Sequence, residues 1–223
     1  KSITNVQPAV GAVAGLAHFV TLTNITNGKE GDTTCGNVTF EQAQSCVGAA
    51  AVIGACKNIT IDTLTNYGTF SYKNAISYPY VGGIIGTWWD NDGTVTSDLS
   101  NITNYGDILV SKCTHKAGAP FFGGIIGRHA GDAVKLTNCT NHGDITILAD
   151  FALTAENFCI GGIIGVAANV ELNNCDNNGA ITQNGVVNSA YTYVSKEQTL
   201  ATATNLFAGG IAGYINTAGK ITL

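Results

Sequence analysis

Between residues 134 and 148 the chain reads VKLTNCTNHGDITIL, and apolar positions alternate with polar ones: Val134 and Leu136, then Ile145 and Ile147. A period of two puts these side chains on one face of an extended strand. Strands are predicted over 134–140 and 144–148, and the aliphatic run before them predicts another over 122–126. The segment is rich in Thr, Val, Ile and Gly and has no 3.6-residue periodicity, which disfavours helix. Asn141-His142-Gly143 predicts a corner between the last two strands. There an asparagine tolerates left-handed geometry and a glycine takes positive φ freely.

The same pattern returns along the chain. GGIIG carries Gly82, Gly83 and Gly86, then Gly123, Gly124 and Gly127, then Gly161, Gly162 and Gly165; GGIAG carries Gly209, Gly210 and Gly213. Weaker copies lie at 11–15 and 48–54. N-x-G corners start at Asn66, Asn104, Asn141 and Asn177, a period of 36 to 38 residues. Periods of this size belong to solenoids, propellers or arrays. A propeller blade needs four strands joined by hairpins, whereas these units offer three. The expected fold is therefore all-β, a β-solenoid of roughly triangular cross-section with coils about 4.8 Å apart. It holds about five and a half repeats of roughly 36–48 residues. Residues 1–223 form one repeat domain, with divergent repeats over 1–81, regular ones over 82–181, a long insertion over 182–207 and a final half repeat over 208–223. Ile84, Ile125, Ile163 and Ile211 are expected to stack as an inward ladder.

The run GGIIG…LTNCTNHGDI resembles the GLUG motif, a repeat of bacterial cell-surface and secreted proteins that include large adhesins and some surface peptidases. Residues 82–181 carry the resemblance well, and the flanks carry it in part. It implies a surface protein of Bacteroidetes-like bacteria, adhesin-like in character. It implies little about activity, because a fold hosts many functions.

Composition narrows the partners. Charged residues make up 11% of the chain and hydrophobic ones 45%, so there is material for a core and no signature of disorder. A net charge of −5 with one arginine, Arg128, leaves no electrostatic footprint for nucleic acid. With no apolar run long enough for a transmembrane segment and no signal peptide, a mature product, soluble or externally tethered, is expected. Seven cysteines leave at least one unpaired within the chain. Cys139 and Cys175 share the repeat position of Ile102, which reads as small core residues. Cys35, Cys46 and Cys56, in the divergent part, are the disulfide candidates.

Several stretches carry candidate chemistry. TWWDNDG, at 87–93, sits in an insertion: 22 residues separate Gly82 from Asn104, against 18 from Gly123 to Asn141. Trp88 and Trp89 offer aromatic faces to a sugar ring, while Asp90 and Asp92 offer acceptors to its hydroxyls. The plainer reading is tryptophan packed on the solenoid wall. The same acidic turn resembles the start of a calcium loop, but the twelfth position from Asp90 is Asn101 and not a bidentate glutamate, so no cofactor beyond a loose calcium is expected. Asp107 and Asp144 hold equivalent corners and read as caps on backbone amides rather than as a catalytic acid pair. Cys113 and His115 make an incomplete metal set. Threonine triplets at 21–23, 94–96 and 202–204 fall at different repeat phases and form no continuous ladder. N-x-[ST] sequons mark Asn24, Asn37, Asn58, Asn101 and Asn138 as glycosylation candidates, and 32–34 and 62–64 resemble short O-glycosylation acceptors.

No nucleophile–base pair, metal quartet or acid cluster emerges, so the expected function is non-catalytic: an extracellular or cell-surface module for adhesion to a host or microbial glycan or protein. Segments of variable length leaving the corners, the longest with Tyr191 and Tyr193, suit a binding edge. The alternative is a structural subunit that self-associates head-to-tail into filaments through complementary end coils. A β-helix carbohydrate-active enzyme stands third.

Overall fold

A computed structural model describes residues 8–41, 48–73, 75–76, 80–89, 97–111, 113–114, 120–131, 133–147, 158–183, 206–215 and 220–221. Among them there is no helix, and the named strands pair in parallel. The chain is all-β, a β-solenoid with four long walls and a short two-stranded parallel sheet, Ala75–Ile76 with Cys113–Thr114. The first wall stacks Ala9–Val10, Gly48–Ala50, Tyr80–Gly82, Phe121–Gly123, Phe158–Gly161 and Leu206–Gly209. The second stacks Ala14–His18, Ile53–Lys57, Ile85–Trp89, Ile126–Ala130, Ile164–Ala167 and Ala212–Ile215. The third contains Thr21–Asn27, Thr60–Asn66, Ser97–Asn104, Val134–Asn141, Val170–Asn173 with Asp176–Asn177, and Lys220–Ile221. The fourth contains Val38–Glu41, Phe70–Lys73, Ile108–Val110, Ile145–Ile147 and Ile181–Gln183.

Four walls replace the expected three because GGIIG is a corner and not a strand. The chain bends at Gly124-Ile125, between Phe121–Gly123 and Ile126–Ala130. The first two walls close on one another so tightly that a Cβ on Gly82 would overlap the Ile85 carbonyl, and one on Gly86 the backbone of Ala49. Only glycine permits that approach. The isoleucine at each corner points inward, and the expected ladder holds. Ile84 N–H donates to Ile125 O at 3.1 Å, Ile125 N–H to Ile163 O at 2.9 Å, and Ile163 N–H to Ile211 O at 2.9 Å. Ile84, Ile125 and Ile163 are fully buried, while Ile211 on the outermost rung is partly covered. Each full burial contributes about 1.5–3 kcal/mol.

The third wall breaks simple alternation. Along Ser97–Asn104, residues 97, 99, 102 and 104 are buried, so the inward series skips a residue after Leu99. The skip coincides with left-handed backbone at Asn101 (φ 56°), and the same row holds Asn24 (55°), Thr63 (65°), Asn138 (56°) and Asn174 (50°). Positive φ therefore falls three residues before the N-x-G asparagine. The expected left-handed Asn141-Gly143 corner is incorrect: neither residue has positive φ. Gly143 is required for another reason, since its Cβ would overlap the carbonyl of Gly106 one coil away.

The N-x-G asparagines, together with Asn27 of the divergent first repeat, form an amide ladder. Asn27 Nδ2 donates to Asn66 Oδ1 (2.7 Å), Asn66 to Asn104 (2.7 Å), Asn104 to Asn141 (2.8 Å) and Asn141 to Asn177 (2.8 Å). In the N-x-G members the second Nδ2 hydrogen satisfies the glycine carbonyl two residues on, as from Asn104 to Gly106 at 2.9 Å, while Asn27 donates to Gly36 O at 2.9 Å. Glycines line both sides of the ladder: a Cβ on Gly83 would meet the Asn104 amide, and one on Gly106 the Asn66 amide. The two halves of the repeat are thus one device. The GG corner makes room for the amide that the N-x-G corner supplies, and each amide of the ladder is hydrogen-bonded.

Candidate functional site

Trp88 takes no part in an exposed tryptophan platform. Trp88 lies inside the second wall, 1% exposed, with its ring 5.9 Å from that of buried His129 on the next coil. The inward row that holds it runs Ala17, Cys56, Trp88, His129, Ala167, so Trp88 fills a position otherwise taken by smaller groups. Trp89 ends the strand Ile85–Trp89, and nothing is described of its side chain. Asp90, Asp92, Tyr191 and Tyr193 lie outside the described residues, as does the rest of the acidic turn considered for calcium. His115 lies outside them too, and no group of three or more His, Cys, Asp and Glu stands together among those described.

Exposed chemistry concentrates on the outside of the third wall and its corner to the fourth. The left-handed row turns its amides outward in a second ladder: Asn174 Nδ2 donates to Asn138 Oδ1 (2.8 Å), Asn138 to Asn101 (3.2 Å), and Asn101 to the Asp62 carboxylate (3.1 Å). Beside it, hydroxyl and amide side chains recur in register, as in Ser100 against Thr137 and Thr103 against Thr140. At the corner, the middle residue of N-x-G forms an external stack. Tyr67 and Tyr105 are parallel with centroids 5.1 Å apart, and Tyr105 and His142 follow at 4.8 Å. Each ring turns much of its face to its neighbour, so the stripe offers ring edges and polar tips at one-coil intervals. Desolvation, then the charge of Glu30, holds the Tyr67 phenol above its ordinary pKa. Sequence reading passed over these rings. The signal is present in NYG, NYG and NHG, but the repeat pattern alone does not tell an exposed stacked ring from turn filler.

Asp107 and Asp144 are caps, though across coils rather than within a turn. Asp107 Oδ1 accepts the Asp144 N–H, and Asp144 Oδ1 accepts the Ala180 N–H, both at 2.8 Å. Asn37 does the same for Thr69 at 2.8 Å. These oxygens are committed to the stacking of the fourth wall.

The sequons separate by exposure. Asn24, Asn101 and Asn138 present side chains outward, as does Asn37, whose amide donates to Thr33 O at 2.7 Å. Asn58 is 8% exposed and does not offer an accessible acceptor. Among the disulfide candidates, Cys35 is a free thiol whose Sγ lies 3.9 Å from Asp32 O. Cys56 is buried in the second wall, and Cys46 lies outside the described residues. Cys139 and Cys175 are buried in the core, as their repeat position implied. No helix among the described residues is long and apolar enough to cross a membrane. The chain matches no family model, no curated protein and no solved structure.

Proposed function

We propose that this chain is a non-catalytic extracellular or cell-surface module that adheres to a glycan or to a glycosylated protein through the outside of its third wall. The observation that carries the reading is the coincidence there of two exposed rows in register. One is the amide row Asn101, Asn138 and Asn174; the other is the edge-on aromatic row Tyr67, Tyr105 and His142. Amides and phenols both donate and accept, as a hydroxyl-rich ligand requires, and rigid side chains at fixed intervals lose little entropy on binding. The GLUG-like motif supports the same placement outside the cell. A glycan array, followed by calorimetry on hits, tests the proposal. Tyr105→Ala with Asn138→Gly removes one rung of each row while keeping the left-handed backbone. Binding is expected to fall at least tenfold with the circular dichroism spectrum retained. An unchanged affinity, or no glycan bound by the parent chain, rejects this surface.

A second reading is favoured by one observation. The first coil exposes Leu16 (60%) and Phe19 (68%) together with Val13 and Val20, and the last exposes Tyr214 and Ile215. Parallel strand edges flanked by apolar side chains suit another coil, and end-to-end stacking of copies would make an open filament. Light scattering across a concentration series tests it: growth in mass is expected to disappear on Phe19→Asp. A constant monomer mass in the parent chain at high concentration excludes assembly.

A further inference from the structure

Cys139 and Cys175 face one another across adjacent coils. The third-wall register pairs Thr137 with Asn173 below them and Thr140 with Asp176 above them, which leaves the two cysteines directly opposite. Adjacent parallel strands lie about 4.8 Å apart, and disulfides span Cα separations of about 4.4–6.8 Å. Both side chains point into the core in equivalent poses. Cys139 Sγ lies 3.6 Å from Thr137 O and 3.9 Å from Leu99 O, while Cys175 Sγ lies 3.5 Å from Asn173 O and 3.6 Å from Leu136 O. Each thiol thus spans its own strand and the preceding coil. Both are reduced in this structure. Their environments differ: Cys139 is fully buried, and Cys175 retains 4% exposure. The neighbouring Cys139 side chain lowers the Cys175 thiol against the opposing effect of burial, and Cys175 is also the more exposed of the pair, which makes it the attacking thiol.

We infer that Cys139 and Cys175 are a modification site, a thiol pair that a small-molecule disulfide converts into a bridge stapling one coil to the next. The Cys175 thiolate attacks one sulfur of the oxidant, whose S–S bond breaks and releases one thiol. The Cys139 sulfur then gives up its proton and attacks the Cys175 sulfur, which forms the protein disulfide and releases the second thiol. Two protein thiols are oxidised and one external disulfide is reduced to two thiols. The bridge closes a loop of one circuit through the walls. A solenoid coil is held mainly by its neighbours, so such a staple stops the coil at 158–183 from peeling off the coil at 121–147.

The full folded chain, incubated with bis(2-hydroxyethyl) disulfide and then alkylated with N-ethylmaleimide in denaturant, is examined by peptide mapping. A peptide joining Cys139 to Cys175 is expected, with neither residue alkylated. The oxidised chain is expected to melt higher than the reduced one, and Cys175→Ala is expected to abolish that difference. Recovery of both cysteines alkylated, or joined to other cysteines, or of a lasting oxidant adduct on Cys175, overturns the inference. An equal melting shift in Cys175→Ala overturns it as well, and the map of the unmutated chain decides should that variant not fold.

Discussion

Thr63 occupies a row in which the other described members, Asn24, Asn101, Asn138 and Asn174, are all asparagine. Its φ of 65° is costly for a β-branched residue, on the order of 1–3 kcal/mol, whereas asparagine adopts this region readily. Thr63→Asn is therefore expected to stabilise the protein by about 1 kcal/mol, raising Tm by about 2–4 °C. A melt at or below the parent temperature would mean that the strain is absent. This row also marks where reading by residue fell short. The period of two placed Val134 and Leu136 inward correctly, and the shared position of Ile102, Cys139 and Cys175 identified them as core. Alternation alone misses that both Thr137 and Asn138 face outward, because one left-handed residue shifts the phase of everything after it. The L-x-N-x-x-N spacing carried that information, but its first asparagine looked like part of a sequon.

At the level of the element, GGIIG misled because a continuous small-apolar run satisfies a buried strand as well as it satisfies a corner. What distinguishes them is the clearance at each glycine, which no single-chain pattern contains. That clearance makes a sharp prediction, since one repeat position differs between coils. A Cβ at Gly124 would overlap the Gly162 carbonyl and the Asn141 amide, while at Gly210 no described residue lies within 4 Å. Gly124→Ala is expected to destabilise by about 3 kcal/mol or more, and Gly210→Ala to stay within about 0.5 kcal/mol of the parent in a urea titration. Equal costs at the two positions would show that the amide ladder does not rest on this corner. The fourth wall was legible from Ile145 and Ile147, and its Asp107 and Asp144 caps were anticipated in kind but not in reach.

For the whole molecule, period and composition were enough for a solenoid because 36 to 38 residues cannot bury an apolar face alone and must stack. Wall number and binding surface were not legible, since both depend on which side chains of different coils come into register. Trp88 shows the difficulty: the most conspicuous aromatic in the sequence is core, while Tyr105, the middle letter of an ordinary-looking turn, is exposed and stacked on its neighbour. The central claim is that the repeat encodes coils stacked in register around a continuous buried amide ladder, with a second amide ladder on the surface. Hydrogen–deuterium exchange of assigned asparagine side-chain amides, followed by NMR, tests it most directly. Asn66, Asn104 and Asn141 are expected to exchange far more slowly than Asn101 and Asn138, because buried hydrogen-bonded groups exchange only when the surrounding structure opens. Exchange of Asn66, Asn104 and Asn141 at the rate of Asn101 and Asn138 would contradict the stacked-coil account.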